Sequence, residues 1–522
     1  MRGDRGTRSG VDRRTLLGGM VAGAAGAALL PRGAFAQGTP KRGGTLNCSM
    51  TYNPAALDPI TGRNAPDFNT LYALYDGLIQ LDPKTLEPQP CLAKSWSWKD
   101  PKTLVVELEE NVLFHDGTAF DADAVKFNFD RSKTDPRSNV KADGSSIDKI
   151  EVTGKHQVTF HLNQINAALL TIFADRIGLM VSPTAIKNAK GGNVDRTPVG
   201  TGPFKLVSWQ DNVSIQMVRN EKYWRSGLPY LDKLNLNIIN EQQTGLRSII
   251  AGQNDMGMNL DIQLKPIVDR SPDLKTELIH NMFMWGGYIN YGRPPFDNIK
   301  VRQAVAWGLD RDAINKVIAL GLDTPGAGVI PPQHWACDQS TVNMYSYKPE
   351  KARQLLAEAG HPDGIDIPFW GWSDQSSMQR QEVAISQLAK AGIRIKMTPG
   401  TPQGTSLEFF GPHKKFEGRL AGMGGYADPS QQYDNLFNKA AYLNASGIEL
   451  PGYRPLYDAT LATNDQAERK KAFAKLQRFV IENAMIMTFV FQTGPVFAHK
   501  KVMGVEVDLA FRPRFHKAWL AA

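Results

Sequence analysis

The sequence predicts an α/β protein of two lobes. After an N-terminal segment of 36 residues, 486 residues remain, which is more than one hydrophobic core usually supports. Short runs of β-branched and aromatic residues are typical of the chain up to about residue 280, and helical spacing of apolar residues begins at residue 297. The change near residue 285 indicates two α/β regions, and we find neither an internal repeat nor a low-complexity linker.

The first region is predicted to contain strands and tight turns. Residues 104–108 (Leu-Val-Val-Glu-Leu) and 158–162 (Val-Thr-Phe-His-Leu) have the length and composition of strands. His115-Asp116-Gly117 predicts a turn, because glycine adopts the positive φ that tight turns often need. Residues 201–206, which begin Thr-Gly-Pro, predict a second turn that leads into another strand.

The second region is predicted to be largely helical. Asp297, Asp310 and Pro349 are placed to begin three helices, because Asp caps a helix N-terminus and Pro fits the first turn. Gly321 and Gly360 are placed to end the second and third helices. The inward positions of the three helices are Val301, Ala304, Val305, Gly308 and Leu309, then Ile314, Val317 and Ile318, then Leu355 and Leu356.

Three further elements complete the second region. A helix is expected to end near Gly392, and the alternation of residues 393–397 predicts a strand. The pair Thr463 and Gln466 is expected to cap a last helix. Its buried stripe is predicted at Ala472, Phe473, Leu476, Phe479 and Val480.

The N-terminus resembles an export signal. Arg13 and Arg14 precede an uncharged apolar stretch at residues 16–30, and Ala34-Phe35-Ala36 is a small-x-small cleavage pattern. The paired arginines predict the twin-arginine route, with a mature start at Gln37. Fifteen weakly apolar residues are too few to cross a bilayer, which takes about 20. The residue directly after the cleavage site is Gln37 rather than a cysteine, so we expect a periplasmic protein without a lipid anchor.

Composition argues for a soluble product that does not bind nucleic acid. Removal of residues 1–36 takes away six Arg and two Asp and lowers the formal charge from +8 to +4. Cys48, Cys91 and Cys337 are scattered singly, which is typical of neither a disulfide framework nor a zinc site. A single disulfide bond between two of these cysteines remains an alternative in an oxidising compartment.

No catalytic or cofactor motif stands out. The sequence lacks a G-x-S-x-G elbow, an H-E-x-x-H pair and a phosphate-binding P-loop, and its nine histidines show no metal-ligand spacing. We therefore expect neither an enzyme nor a bound metal or cofactor. A secreted hydrolase stays open as an alternative, because catalytic residues can be scattered along a chain.

Eight motifs in order carry a specific resemblance to the dipeptide/oligopeptide-type (family 5) extracellular solute-binding proteins of ABC importers. They cover nearly all of residues 41–515 and begin at residues 42 (Arg-Gly-Gly-Thr-Leu), 57 (Leu-Asp-Pro), 74 (Leu-Tyr-Asp-Gly-Leu), 92 (Leu-Ala-Lys-Ser-Trp), 114 (Phe-His-Asp-Gly-Thr), 200 (Gly-Thr-Gly-Pro-Phe), 219 (Arg-Asn-Glu-Lys-Tyr-Trp) and 295 (Pro-Phe-Asp-Asn).

The resemblance implies the large, three-subdomain type of periplasmic-binding-protein fold with an interlobe ligand cleft. Lobe I would comprise residues 37–280 plus 495–522, with an inserted subdomain at about 77–187, and lobe II residues 285–490. The chain would cross the hinge near residues 285–290 and 491–493. Ligand contact with both lobes would favour closure.

The function that the resemblance implies is capture of a small solute and its delivery to permease subunits at the inner membrane. The solute would be a peptide, a peptide-like compound or an organic acid, and the protein a monomer. A periplasmic sensor or chaperone with the same fold is the alternative. Most of the motifs, such as residues 114–117 and Tyr223-Trp224, are expected to be scaffold rather than to touch ligand.

Residues 416–429 resemble the cleft segment that in peptide-binding members often reads W-x-A-D-Y-x-D-P, whose first Asp binds the ligand ammonium. Alignment of Asp428 and Pro429 with the last two letters places Gly425 at that Asp and Tyr426 beside it. Simple unblocked di- and tripeptides are therefore expected to bind weakly, since a buried ammonium needs a charged partner. The alternative is that Asp428 or another acid takes that role.

Further cleft candidates come from both lobes. Tyr52 and Asn53 follow the first strand, and Asn64 and Asp67 lie in the next loop. In the second lobe the candidates are Trp370, Trp372, Arg380 and Arg419. Either arginine could hold a carboxylate through two hydrogen bonds. The two tryptophans would point the same way if they lie on one strand, as a wall of the cleft or simply as core.

Overall fold

The structure is a computed structural model that describes residues 39–62 and 67–521, without the side chains at positions 375, 376 and 403. The predicted signal at residues 1–36 and the site candidate Asn64 lie outside the described residues. Across the two described ranges, no helix has the length and apolar composition that spanning a membrane would take.

The described strands lie along the whole chain. In chain order they are β1 (Thr45–Met50), β2 (Ile79–Leu81), β3 (Pro88–Pro90), β4 (Ala93–Asp100), β5 (Thr103–Leu108), β6 (Ile147–Gly154), β7 (Gln157–Leu162), β8 (Phe204–Gln210), β9 (Ser214–Arg219), β10 (Lys233–Ile238), β11 (Met256–Met258), β12 (Leu274–Ile289), β13 (Thr324–Pro325), β14 (Ile365–Trp372), β15 (Ile393–Gly400), β16 (Gly418–Met423), β17 (Met487–His499), β18 (Val502–Met503), β19 (Glu506–Val507), β20 (Pro513–Arg514) and β21 (Trp519–Leu520).

The longer helices concentrate in the second half of the chain, as the sequence predicts. The described α-helices are Phe68–Leu74, Ala122–Thr134, Leu169–Ile172, Pro183–Asn188, Gln242–Ile250, Lys265–Asp269, Ile299–Trp307, Arg311–Ala319, Pro349–Glu358, Gln375–Lys390, Pro402–Phe410, Pro429–Phe437, Tyr453–Leu461 and Gln466–Glu482. Short 3-10 helices lie at Arg176–Gly178, Lys190–Gly192, Ile262–Leu264 and Gln339–Thr341.

One large mixed sheet of 11 strands joins both regions. Its order is β15-β14-β16-β12-β17-β11-β1-β10-β9-β8, and β13 pairs with β17 off this path. Parallel pairs occur on both sides of the central strands β12 and β17, β14 with β15 and β16 on one side and β1 with β10 and β11 on the other. Ligand sites in open α/β sheets commonly lie beyond the carboxyl ends of such strands.

Two long antiparallel strands, β12 and β17, pass from one region to the other. β17 pairs with β11 at Phe497, whereas β12 pairs with β16 from Met284 onward. The register between β12 and β17 shifts between His280 and Met284, where the ladder is irregular. This irregularity lies close to the two predicted hinge crossings, although the lobe boundaries themselves stay a prediction.

The buried apolar side chains form three large clusters. One takes its members mainly from residues 284–491, the second mainly from residues 78–180, and the third from residues 46–75, 179–279 and 496–518. The second cluster packs the helix Ala122–Thr134 on the four-stranded sheet β4-β5-β7-β6. The strands predicted at residues 104–108 and 158–162 are its β5 and β7, so those predictions are confirmed.

Two predicted helix caps are wrong by one or two residues. Asn298, rather than Asp297, accepts a hydrogen bond from the Lys300 N–H. Asp465, rather than Thr463, accepts one from the Glu468 N–H. In each case the capping side chain is the Asn or Asp immediately before the first helical residue, as N-caps require. The predicted cap Asp310 and the predicted first helical residue Pro349 are confirmed.

The predicted inward position of Val317 is also wrong. Ile314 and Ile318 of the same helix are 0% and 5% exposed, whereas Val317 is 59% exposed. The helix therefore buries a narrower stripe than the apolar pattern predicts. Cys48, Cys91 and Cys337 are buried and unpaired.

Candidate ligand-binding site

A cavity of about 360 Å³ lies between residues of the two regions. Its size falls within the roughly 300–1,000 Å³ of small-molecule sites. The first region contributes Phe68, Asp175 and Arg176, and the C-terminal tail adds Arg512 to them. The second contributes Tyr288, Met423, Gly424, Gly425, Tyr426, Gln432, Asn435, Leu436 and Leu443. We call these two sets the first wall and the second wall.

The local fold explains why these residues meet. Strand β16 ends at Met423, and the chain then bends through Gly424 and Gly425 before Asp428 caps the helix Pro429–Phe437. One face of that helix presents Gln432 and its neighbours to the cavity. The 3-10 helix Arg176–Gly178 and the C-terminal tail bring the cations of the first wall.

Two arginines flank one aromatic ring on the first wall. The guanidinium carbons of Arg176 and Arg512 lie 4.6 Å and 3.9 Å from the centre of the Phe68 ring. Such contacts between a cation and a ring fix both side chains. The wall therefore holds two guanidinium groups in fixed positions, and each arginine also has an acidic partner.

The acidic partners are Asp67 and Asp175. Arg176 Nη2 lies 3.2 Å from Asp67 Oδ2, and Arg512 Nη2 lies 2.8 Å from Asp175 Oδ2. Asp67 is fully buried behind the wall, but the Asp175 side chain is 38% exposed and lines the cavity. Burial opposes ionisation of Asp175, but the charges and hydrogen bonds of Arg512 and Arg176 together outweigh it and hold the pKa of Asp175 below its ordinary value.

The second wall contains no ionisable acid or base apart from two tyrosines. Its polar groups are amides and phenols, and Gln432 is notable among them because it is only 3% exposed. No described residue forms a hydrogen bond with Gln432 Oε1. A buried amide oxygen without a donor favours a ligand that supplies one.

The two glycines of the second wall differ in the space around them. A Cβ added to Gly425 would lie 2.3 Å from Met282 Cβ and 2.6 Å from Met282 O, so this backbone is pressed against β12. A Cβ added to Gly424 would meet nothing within 4 Å. The predicted candidates Gly425 and Tyr426 thus both line the cavity. Space for an added side chain exists at Gly424 and not at Gly425.

Asp428, the predicted alternative partner for an ammonium, is engaged elsewhere. Its two carboxylate oxygens accept hydrogen bonds of 2.8 Å from Arg469 Nη1 and Nη2, and Oδ1 also caps the helix at Ser430. Asp428 is 2% exposed and is not among the cavity-lining residues. Burial raises its pKa, but the charge and hydrogen bonds of Arg469, together with the hydrogen bonds from Ser430, outweigh burial and the net pKa is lowered.

Arg419 lies one layer behind the second wall. It is 4% exposed, and its guanidinium donates to Thr405 Oγ1 and to Pro402 O, both at 3.1 Å. Its guanidinium carbon also lies 5.8 Å from the ring of Tyr288, which lines the cavity. Within the described ranges no carboxylate pairs with Arg419, and burial lowers its pKa. Its predicted role as a carboxylate partner stays a prediction.

The remaining second-lobe candidates are dispersed. Trp370 and Trp372 lie on one strand, β14, as predicted. The Trp370 ring packs at 4.8 Å on Phe416, and the Trp372 ring packs at 5.4 Å on Trp285. Neither tryptophan lines the cavity.

Arg380 lies at a second, larger groove. Its guanidinium is 3.4 Å from Asp261, and the groove of about 930 Å³ runs between the helices Gln242–Ile250 and Gln375–Lys390. Most polar residues of the groove, such as Glu241 and Glu382, are exposed to solvent. We therefore take the smaller cavity, with its buried polar groups, as the candidate site.

Tyr52 and Asn53, two of the first-lobe candidates, are not among the residues that line the cavity. Tyr52 is 53% exposed. Asn53 Oδ1 accepts hydrogen bonds from Trp209 Nε1 and from the Asn212 N–H at 3.1 Å and 3.2 Å, which ties the loop after β1 to the β8–β9 turn. Asn64 lies outside the described residues.

Two of the family-like motifs form hydrogen bonds that connect separate segments of the chain. His115 Nε2 is 3.0 Å from Gly202 O, so the turn at residues 115–117 fastens to the segment before β8. Tyr223 OH and Trp224 Nε1 donate to the two carboxylate oxygens of the buried Asp76, at 3.0 Å and 2.8 Å. These contacts explain the motifs without a ligand.

Sequence reasoning missed Asp175, Arg176, Arg512 and Gln432. Nothing in their local sequence distinguishes them from surface polar residues. Only the predicted return of the C-terminal tail to lobe I could have drawn attention to Arg512. For metals, the described residues contain no cluster of three or more His, Cys, Asp or Glu side chains suited to hold an ion.

A family model and an individual relative both match this chain. The family model of the bacterial extracellular solute-binding proteins, family 5 Middle, matches residues 87–444. The chain is 29% identical over 469 residues to the glutathione-binding protein GsiB of Shigella flexneri, covering 86% of this chain and 89% of that protein.

Solved structures share the fold. The periplasmic binding protein DppA from Helicobacter pylori, in complex with the peptide STSA, matches with a TM-score of 0.79 at 24% identity over 92% of this chain and 99% of that chain. The protein AgaA of A. tumefaciens R10, in complex with agropinic acid, matches with a TM-score of 0.77 at 24% identity over 92% and 99%. The family model covers more than half of the chain, and the chain belongs to the bacterial extracellular solute-binding proteins of family 5.

Proposed function

We propose that this protein captures a peptide or peptide-like solute in the periplasm and delivers it to an ABC importer. The observation that carries the proposal is the cavity of about 360 Å³ whose walls come from both regions of the chain. A solute that contacts both walls binds the closed form better and shifts the population toward closure. We assign no catalysis to the cavity, and we expect a monomer.

The relatives support a peptide-like solute without fixing one. A glutathione-binding protein is among the relatives, and the solved structures of this fold hold a peptide in one case and agropinic acid in another. These compounds share amide or amino-acid chemistry, which suits a cavity lined by arginine, carboxylate, amide and phenol groups. Mass spectrometry of the solute that co-purifies is the direct test of this class.

Binding should make the protein more compact and more stable. Saturation at about one hundred times Kd should add about 2.7 kcal/mol to the free energy of unfolding, because the solute binds only the folded state. Closure should also reduce the radius of gyration in solution scattering. A tightly bound solute that changed neither quantity would contradict the clamp model.

Uptake by the intact cell tests the transport role. Deletion of the gene should abolish uptake of the co-purified solute. Deletion of neighbouring permease or ATPase genes should abolish the same uptake. If uptake persists while binding and closure are retained, the protein is a sensor or chaperone with this fold.

Export should depend on the paired arginines of the proposed signal. Replacement of Arg13 and Arg14 by lysine should trap the precursor in the cytoplasm, because the twin-arginine route reads this pair. Normal export of the variant by that route would contradict the prediction. N-terminal sequencing of the exported wild-type protein should begin at Gln37, without a lipid anchor.

A further inference from the structure

The strands that pass between the two regions form a narrow ribbon. β16 pairs with β12 from Met284 onward, and β11 pairs with β17 at Phe497 and Ala498, so the described sheet between these positions is two strands wide. The ladder of the two strands is also interrupted between His280 and Met284. Twist is larger in two-stranded ribbons, and a ladder irregularity increases it locally. The ribbon alone therefore fixes the orientation of the two regions weakly.

A short segment of the first region reaches into the core of the second. Ile262 begins the 3-10 helix Ile262–Leu264, which follows β11. It is 5% exposed and belongs to the apolar cluster of residues 284–491. Among the described residues, Ile262 is the one buried member of that cluster from before Met284. Its side chain is thus buried in the second region, although its backbone continues a strand of the first.

The next residue, Gln263, binds the end of a helix in the second region. Its Nε2 donates to Val317 O at 3.2 Å and to Ile318 O at 2.9 Å. Both carbonyls lie in the last turn of the helix Arg311–Ala319, where carbonyl groups have no partner within the helix. A side chain of the first region therefore supplies donors that this helix end needs.

The preceding residue, Asp261, forms an ion pair with the second region. Asp261 Oδ2 lies 3.4 Å from Arg380 Nη2, and the two side chains are 19% and 12% exposed. The guanidinium carbon of Arg380 lies 4.7 Å from the centre of the Trp285 ring, on β12 just past the irregularity. Three consecutive residues therefore contact the second region by an ion pair, by apolar burial and by hydrogen bonds. We call them the 261–263 segment.

The 261–263 segment lies beside the ribbon rather than on it. β11 of the first region and β13 of the second both pair with β17 on the edge opposite β12. The 3-10 helix that contains Ile262 contacts β17 and the helix that precedes β13. Two bodies joined by a ribbon and by a point beside it can rotate about the line through both, but they resist twisting about the ribbon.

We propose that the 261–263 segment is a third, non-covalent connection that confines the motion of the two regions to one hinge rotation. It thereby keeps the two walls of the cavity facing each other when no solute is bound. This inference rests on the proposed clamp function and names residues that position its walls. Ile262 and Gln263 do not line the cavity, so they are positioning residues.

Distances between two spin labels test the inference in protein dialysed free of solute. The labels are attached at Gln216→Cys on β9 and at Ala357→Cys on the helix Pro349–Glu358, because both positions are exposed and each lies in one region. The three native cysteines are buried and should not react with the label. Pulsed electron paramagnetic resonance then reports the distribution of distances between the regions.

Ile262→Ala should broaden this distribution, because it removes the side chain buried in the second region. Leu264→Ala is the matched control and should leave the distribution unchanged. Leu264 belongs to the same 3-10 helix and is 9% exposed, but its apolar cluster consists of residues 246–274 and Phe497, outside the second region. Both variants lose a buried aliphatic side chain, so a difference between them reports the connection rather than packing in general.

A second pair of variants changes exposed side chains and so tests the inference even if Ile262→Ala does not fold. Gln263→Ala removes the two hydrogen bonds to the helix end and should also broaden the distribution. Gln243→Ala is its control, since Gln243 is an exposed glutamine of the same groove that accepts a hydrogen bond of 3.4 Å from Arg247 within the first region. It should leave the distribution unchanged.

Broadening in Ile262→Ala or Gln263→Ala, with both controls unchanged, supports the inference. An unchanged distribution in both of those variants, or equal broadening in their controls, would overturn it. Neither result bears on the proposed transport function, because the labels are measured without solute. A co-purified solute that failed to compact the protein would instead remove the clamp, while the restraint reported by the labels would stand as a property of the fold.

Discussion

Replacement of Arg469 by methionine should lower the free energy of unfolding by about 3–5 kcal/mol, because it leaves a buried carboxylate without its partner. Asp428 and Arg469 are 2% and 5% exposed and form two hydrogen bonds of 2.8 Å. Arg469 also donates to Thr460 O and to Ala167 O, so it joins three segments of the chain. Urea denaturation followed by tryptophan fluorescence measures the loss.

Two further variants identify the cause of that loss. The double variant Asp428→Asn with Arg469→Met should recover part of the stability, since Asn still caps the helix at Ser430 and no charge stays buried. Lys471→Met removes an exposed ion pair with Glu468 and should leave the stability nearly unchanged, because solvent screens exposed pairs. Equal losses in the single and double variants would show that packing, rather than charge, is responsible.

The wild-type pair also predicts a dependence on pH. Arg469 lowers the pKa of Asp428 in the folded protein. The stabilisation by this pair is therefore fully present at a pH above the ordinary pKa of Asp, and it is lost as the pH falls through the lowered pKa of the folded state. In Arg469→Met the direction should reverse, because burial then dominates and protonation relieves the unpaired charge. The difference in stability between the two proteins should therefore shrink in acid.

The adjacent glycines of the second wall should respond oppositely to the same substitution. Gly425→Asp should cost about 1–3 kcal/mol of stability, since its Cβ would lie 2.3 Å from Met282 Cβ. Gly424→Asp should fold normally, because an added Cβ meets nothing within 4 Å. It should also place an acid on the cavity wall and tighten the binding of free-amine dipeptides by about tenfold. Denaturation and calorimetry measure the two effects.

Gly424→Asn is the matched control for charge. It has nearly the shape of the aspartate variant, so it should match its stability without the gain in affinity. An equal gain in both variants would assign the effect to shape. Loss of stability in Gly424→Asp would show that the space beside Gly424 is not available to a side chain.

The sequence predicted the elements of this fold better than it predicted the site. Strand composition located β5 and β7, and helix-start residues located the helices Arg311–Ala319 and Pro349–Glu358. These signals are local, since each depends on a few neighbouring residues. Cap positions erred by one or two residues because several Asp, Asn and Thr side chains compete at one helix start.

The site depends on contacts between residues that are far apart in the sequence, and local spacing of residues does not reveal such contacts. Gly425 and Tyr426 were located by a motif within one segment, and both line the cavity. Arg512 reaches Asp175 across 337 positions of the chain, and Arg469 reaches Asp428 across 41. Asp428 therefore looked like a ligand partner until its own partner was known. Distant pairing of charges is the property that local patterns do not report.

The return of the chain end to its beginning has a consequence for biosynthesis. The cluster that holds Leu46 of β1 also holds Phe515 and Ala518, and β21 pairs with β18 in the last part of the chain. The chain must therefore be synthesised at least as far as Ala518 before this cluster can close, whereas the cluster of residues 284–491 can form earlier. Contacts between such distant positions also slow folding. For the proposed export, folding before translocation would have to wait for this segment, a delay that suits a route for folded proteins better than a route for unfolded chains.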